Sequence, residues 1–237
     1  MSAGDAELLA DGSLPARWLR RWRERASWRQ LQDVDGTWLS SDELEQRSRA
    51  AATRLLAGGL EAGDRLLLSG RSCAGLVIAY LGALRAGLVV VPVNPAYTAD
   101  EVARIVRDAR PRAAAVADPA LRGWVQEASE GPVSLSGIEL EGLPAGGGEA
   151  AIDGARRDEL ALLIYTSGTT GQPKGVPLTH GNLLASATAV NLAWRWEPED
   201  TLLLALPLFH VHGLGVGLFG TLCAGAAVTL RAKFDPA

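Results

Sequence analysis

Residues that form disulfides or bind metals are scarce in this chain of 237 residues, which contains two cysteines and three histidines. Cys73 and Cys223 lie in apolar stretches without Cys-x-x-Cys spacing, so we expect two buried thiols in a reducing compartment. The histidines are too few and too clustered for a convincing metal site. We therefore predict no disulfide framework and no metal held by protein ligands.

Targeting signals and a strong net charge are also missing. The N-terminus has no apolar signal core, and Asp5 and Glu7 argue against an arginine-rich, acid-poor transit peptide. A formal net charge of −4 gives no indication of a nucleic-acid partner. With 48% hydrophobic residues, the chain can form one large globular domain or two small ones. We predict a cytoplasmic protein.

Charged residues are absent from 201–230, a run long enough to span a bilayer. Pro207, His210 and His212 interrupt it, however, and the run divides more simply into a strand, a turn, a helix and a strand. This division places both histidines between a strand end and a helix start, where ligands bind in open α/β sheets. We predict no membrane span.

Alternating helix and strand patterns fill the first half of the chain. An arginine-rich amphipathic helix over 15–29 carries Trp18, Leu19 and Trp22, whose spacing favours packing on the chain's own core over a membrane or nucleic-acid surface. A hairpin turn at Asp35-Gly36 follows, and a capping box begins a helix at Ser40.

Further along, strand patterns over 64–69, 88–93 and 113–117 alternate with helix patterns over 72–85 and 98–109. This order predicts parallel βαβ units with right-handed crossovers. We therefore predict an α/β fold of parallel-sheet βαβ layers. Its predicted parts are a first βαβ subdomain over 1–130, a loop-rich connection over 131–158, and a phosphate-loop and acyl-pocket unit over 159–237.

An apolar run over 160–165 changes abruptly into hydroxyl groups and glycines, and 165–176 reads Tyr-Thr-Ser-Gly-Thr-Thr-Gly-Gln-Pro-Lys-Gly-Val. Free backbone amides, hydroxyl donors and one ammonium group suit a polyphosphate, although a flexible surface turn is the simpler alternative. Gly175 stands where a Walker A motif requires Ser or Thr after Lys174, and no dinucleotide fingerprint is present. Thr179 is predicted to cap a following helix whose N-terminal dipole faces the same anions.

This pattern resembles the phosphate-binding signature of the adenylate-forming superfamily, which includes acyl-CoA synthetases, nonribosomal peptide adenylation domains and firefly luciferase. Residues 206–214, reading Leu-Pro-Leu-Phe-His-Val-His-Gly-Leu, resemble the acyl-pocket motif of the same superfamily. Together with Lys-Phe-Asp-Pro at 233–236, that segment is most similar to malonyl-CoA synthetases and nearby short- or medium-chain acyl-CoA ligases.

The resemblance implies an ATP-dependent ligase. ATP and a carboxylic acid would form an acyl-adenylate and pyrophosphate, and coenzyme A would then displace AMP to give the acyl-CoA. The matching motif assigns seven residues to the β- and γ-phosphates with Mg²⁺, and Lys174 would neutralise phosphate charge. These residues are Thr166, Ser167, Gly168, Thr169, Thr170, Gly171 and Lys174.

The same resemblance places His210 beside the substrate carboxylate and the α-phosphate, where an imidazole could donate to the developing phosphate or gate the pocket. A satisfied, partly buried histidine is the alternative for His210 and our expectation for His212. Phe209, Val211 and Leu214 would line the acyl side of the pocket.

Complete members of the superfamily continue for a few hundred further residues, which carry the adenine, ribose and Mg²⁺ motifs and a mobile C-terminal domain. The chain thus resembles the first half of the large N-terminal domain, incomplete, and we expect an inactive fragment without the C-terminal half of the enzyme. Two alternatives stay open. One is a non-catalytic nucleotide-binding module, and the other is an adenylation domain that loads a carrier protein.

Overall fold

The computed structural model describes residues 12–145, 151–166 and 174–234. Within these ranges the strands are β1 Arg29–Gln32, β2 Trp38–Ser40, β3 Arg65–Ser69, β4 Val89–Pro92, β5 Ala113–Val116, β6 Ser134–Ser136, β7 Leu160–Thr166, β8 Lys174–Thr179, β9 Thr201–Leu204 and β10 Ala227–Leu230. The helices are α1 Leu14–Glu24, α2 Ser41–Ala57, α3 Ala74–Arg85, α4 Ala99–Ala109, α5 Pro119–Ala128, α6 His180–Trp194 and α7 Gly220–Ala224, with a π-helix, π1, over His212–Phe219.

Two mixed sheets organise the described residues. The larger has the order β6-β5-β3-β4-β7-β8, and its strands are parallel except for β8, which runs antiparallel to β7. The smaller has the order β2-β1-β10-β9, in which β1, β10 and β9 are parallel and β2 is antiparallel. The predicted α/β fold with parallel βαβ layers is therefore confirmed.

Hydrophobic side chains alternate across the larger sheet, so both of its faces are buried. In β3, Leu66 and Leu68 belong to one core cluster and Leu67 to the other. Helices α4 and α5 contribute to the cluster around Leu67, and α3, which is buried on nearly all sides, lies in the other. The larger sheet is thus a middle layer with helices on both faces.

The opening helix packs as predicted. Trp18 and Trp22 are buried and stack with ring centroids 6.2 Å apart, and Trp18 also contacts Phe219 of π1 at 5.8 Å. No helix in the described ranges is long and apolar enough to cross a membrane.

Neither cysteine forms a disulfide within the described residues, and only one matches the expectation of burial. Cys223 is buried, whereas Cys73 is partly exposed and caps the N-terminus of α3, where its sulfur accepts a hydrogen bond from Leu76 N at 3.5 Å.

The segment predicted to be loop-rich is held by a buried arginine. The guanidinium of Arg85 donates to both carboxylate oxygens of Asp153 at 2.9 Å, to Ser48 Oγ at 2.9 Å, and to the carbonyl and carboxylate of Glu45 at 2.8 and 3.0 Å. Strand β6 also lies in this segment and pairs with β5, so the segment is less irregular than predicted. The division at 131–158 stays a prediction, and strands from before and after residue 131 pair in both sheets.

Candidate nucleotide-binding site

The candidate phosphate loop connects two paired strands. Strands β7 and β8 form an antiparallel hairpin whose register runs from Leu160 opposite Thr179 to Thr166 opposite Lys174. The structure therefore brings Thr166 and Lys174 together, and both are exposed where β7 ends. The other predicted phosphate ligands, Ser167, Gly168, Thr169, Thr170 and Gly171, lie outside the described residues.

Strand β8 was not predicted from the sequence. It forms the edge of the larger sheet, which accommodates Pro177 because an edge strand does not need every backbone N–H for pairing. Only the residue alternation from Val176 to Leu178 hinted at it. The strand returns the chain along β7, so both sides of the candidate loop are anchored in the sheet.

A tyrosine next to the candidate loop forms a second anchor for the hairpin, which the sequence analysis did not predict. Tyr165 lies opposite Gly175, and a Cβ on Gly175 would be 3.3 Å from the Tyr165 hydroxyl oxygen. That hydroxyl donates a hydrogen bond to the Asp108 carboxylate in the last turn of α4. Burial, followed by the hydrogen bond to Asp108, raises the pKa of Tyr165. The phenol therefore stays protonated and ties the hairpin to α4.

Helix α6 begins at the predicted residue, but its N-terminus lies away from the candidate phosphate loop. Thr179 and Asn182 form a capping box, with both hydrogen bonds 3.1 Å long. Thr179, however, is paired with Leu160 at the beginning of β7, five residue steps along an extended strand from Lys174, a distance of about 17 Å. The expectation that the dipole of this helix faces the phosphate loop is wrong, because β8 carries the chain to the opposite end of the hairpin.

His180, at the start of α6, is a buried structural residue. Its Nδ1 accepts a hydrogen bond from Leu14 N at 3.4 Å, and its buried Nε2 has no hydrogen-bond partner among the residues that the structure describes. Burial lowers the pKa of His180 to about 4, against a small opposing effect of Glu159. The ring is therefore neutral near pH 7 and joins α6 to the first turn of α1.

His210 lies in the segment between β9 and π1, and His212 is the first residue of π1, so the two histidines lie at the turn into a helix, as predicted. The His210 ring is exposed and lies 4.4 Å from the Phe209 ring, with an interplanar angle of 50°. His212 is also exposed, which contradicts the expectation that it is partly buried. Both imidazoles are thus accessible to a solute.

Buried groups hold this segment in place. Tyr80 of α3 is buried, and its hydroxyl donates to Leu208 O at 3.1 Å. A Cβ on Gly213 would collide with the Pro207 carbonyl, so glycine permits the close approach of π1 to the segment. Such π-helical turns occur often at functional sites. The position of His210 is therefore set by packing on both of its sides.

The three predicted acyl-pocket residues differ in exposure. Leu214 is fully buried in the larger core cluster, whereas Phe209 is partly exposed and Val211 is 46% exposed. Of these three residues, only Phe209 and Val211 present surface beside His210. That His210 meets the phosphate loop stays a prediction, since it depends on residues 167–173.

Comparison with known proteins identifies the family. The model of the AMP-binding enzyme family matches residues 16–237. The chain belongs to the AMP-binding enzyme family. The predicted resemblance to adenylate-forming enzymes is therefore confirmed.

Several members of the AMP-binding family are similar to this chain. The oxalate–CoA ligase of Arabidopsis thaliana is 34% identical over 208 residues, which cover 82% of this chain and 40% of that protein. A feruloyl-CoA synthase of Amycolatopsis sp is 32% identical, with coverage of 85% and 40%. The chain thus spans about 40% of the length of these curated relatives.

Solved structures of the family agree with the fold. Apo MatB from Rhodopseudomonas palustris has a TM-score of 0.84 and 33% identity, and the match covers 94% of this chain and 46% of that one. ATP-bound MatB from the same organism matches equally well, with a TM-score of 0.84 and 31% identity. The expected likeness to part of a longer adenylate-forming enzyme is confirmed.

Proposed function

We propose that this chain is the phosphate-binding part of an ATP-dependent acyl-CoA ligase. In the proposed reaction, a carboxylate oxygen attacks the α-phosphorus of ATP, pyrophosphate leaves, and the thiol of coenzyme A then displaces AMP from the acyl-adenylate. The observation that carries the proposal is the β7–β8 hairpin, which presents Lys174 opposite Thr166 in a chain that matches the AMP-binding family. The names of the relatives, which are CoA ligases, support the same reaction class.

The physical obstacle in the first step is the approach of two anions. Lys174 is exposed at the base of the loop, so its ammonium group is free to neutralise charge on the β- and γ-phosphates. It is one of only two lysines in a chain whose 23 basic residues are otherwise arginines. Mg²⁺ would enter with the nucleotide as part of the substrate.

His210 is proposed as the donor beside the reacting groups. An exposed imidazole can donate a proton or a hydrogen bond to the pentavalent phosphate as charge develops. Its exposure and its fixed backbone support this role, since Leu214 N donates to His210 O at 2.8 Å. Phe209 and Val211 would contact the acyl group.

The acid is proposed as a class only. Malonate is the first candidate from the motif around His210, followed by other short- or medium-chain acids, while named relatives act on oxalate and ferulate. The proposed setting is the cytoplasm, where ATP and coenzyme A are available and both cysteines would stay reduced.

ATP–pyrophosphate exchange with a panel of carboxylic acids tests this proposal. The chain alone is expected to give no thioester, and turnover comparable with that of an intact synthetase would contradict the expectation of an inactive fragment. A second experiment repeats the exchange assay on a fusion of this chain to the part of MatB that this chain does not cover. Exchange that depends on the acid supports a ligase. ATP binding without exchange for any acid would instead favour a non-catalytic nucleotide-binding module, and acid-dependent exchange followed by transfer only to a carrier protein would favour the adenylation-domain alternative.

A further inference from the structure

A basic cleft lies beside the larger sheet, and its lining residues lie outside the β7–β8 hairpin that holds the candidate phosphate loop. It has a volume of about 570 Å³ and is lined by four arginines, Arg65, Arg107, Arg110 and Arg112, and by two acids, Asp64 and Glu130. Arg65 begins β3 and Arg112 directly precedes β5, so the cleft lies at the amino ends of these parallel strands. The candidate loop follows the carboxyl end of β7, and the two sites are therefore distinct.

The arginines of the cleft are largely uncommitted. Arg65 donates to Ala109 O at 2.5 Å and so caps the C-terminus of α4. Among the described residues, no hydrogen bond or ion pair engages the guanidinium groups of Arg107, Arg110 or Arg112, all of which are exposed. Four guanidinium groups face two carboxylates, an excess of two positive charges in a chain whose formal net charge is −4.

The helix dipole explains only part of this cluster. Cations are favourable near a helix C-terminus, which accounts for Arg107 in the last turn of α4 and Arg110 at its C-cap. It does not account for Arg112, which belongs to the connection into β5. Arg110 also adopts a left-handed conformation, with φ of 45°, that glycine or asparagine occupies more readily. Arginines from strand β3, the C-terminal end of α4 and the connection into β5 therefore converge on one concave surface.

We propose that this cleft binds a phosphorylated small molecule. The planar guanidinium fork matches phosphate oxygens in a bidentate arrangement, and an excess of two positive charges suits a multiply charged anion better than a single carboxylate. The volume falls in the range typical of small-molecule sites. Val106 and Pro111, which are both buried, lie beneath the cleft and give it an apolar floor.

Titration calorimetry with pyrophosphate and with ADP tests the proposal, using the full chain. Lys174→Gln serves as the background, so that binding at the candidate ATP loop is weakened in every sample. The double variant R107Q/R112Q is expected to reduce the remaining affinity at least tenfold. Arg104→Gln is the matched control, because Arg104 is an exposed arginine of the same helix that does not line the cleft.

The outcomes separate the two sources of phosphate. Arginine-dependent binding of pyrophosphate assigns the cleft to free phosphates, and arginine-dependent binding of ADP alone assigns it to phosphorylated organic molecules. Absence of residual binding, or an equal loss in Arg104→Gln, would overturn the proposal. Because every sample carries Lys174→Gln, these results do not test the candidate ATP loop. Failure of this proposal therefore leaves the proposed ligase function untouched.

Discussion

Acid sensitivity of folding should depend on His180. Its pKa is about 4 in the folded chain because of burial, against an ordinary value of 6.5. Below pH 6.5 the unfolded chain therefore binds a proton that the folded chain does not. The contribution of neutral His180 to the free energy of unfolding should be fully present above pH 6.5. The free energy of unfolding should fall by about 3 kcal/mol as the pH decreases from 6.5 to about 4.

Urea denaturation at several pH values measures this slope, with tryptophan fluorescence as the signal because Trp18 and Trp22 lie on α1, whose first residue Leu14 bonds to His180. His180→Gln keeps an acceptor for Leu14 N but cannot titrate, so it should remove most of the decrease between pH 6.5 and 5. His180→Gln is also expected to lower the free energy of unfolding by the same amount at every pH. The test is the change of this free energy with pH, not that constant loss. His210→Gln, an exposed histidine, is the control and should keep the slope. An unchanged slope in His180→Gln would refute the reasoning.

Two further predictions concern contacts that the sequence did not reveal. Tyr165→Phe removes the hydrogen bond to Asp108 and should lower the free energy of unfolding by about 1 kcal/mol and weaken ATP binding, measured by denaturation and calorimetry. Tyr97→Phe is the control, since Tyr97 packs on the same core cluster, and an equal effect in both variants would contradict a specific role for Tyr165. Arg85→Met leaves the carboxylates of Glu45 and Asp153 without their buried partner and should cost about 3 kcal/mol. A loss below about 1 kcal/mol would show that Arg85 does not hold the segment around Asp153.

Local signals predicted local structure well. The capping boxes at Ser40 and Thr98 begin α2 and α4, as expected, because each depends on residues three positions apart. Helix α5 could have been found in the same way. Asp118 is its N-cap and Pro119 its first residue, a combination typical of a helix start.

Features that depend on distant residues were not predictable from the sequence. The pairing of β1 with β10 joins Leu31 to Val228, and no local pattern specifies that partner. The same holds for Tyr165 and Asp108, which are 57 residues apart along the chain. The direction of α6 was missed for a related reason, since the returning strand β8 was needed to place Thr179. Local chemistry thus indicated the loop and the histidines, while their supports came from tertiary packing.

Binding of Mg·ATP to the wild-type chain and to Lys174→Gln tests the central claim most directly. Lys233→Gln is the matched control, because Lys233 is the other lysine of the chain and is also exposed. Calorimetry should show binding to the wild type, at least tenfold weaker binding to Lys174→Gln, and little change in Lys233→Gln. Equal affinity in all three proteins would contradict the assignment of the β7–β8 hairpin to the phosphates of ATP.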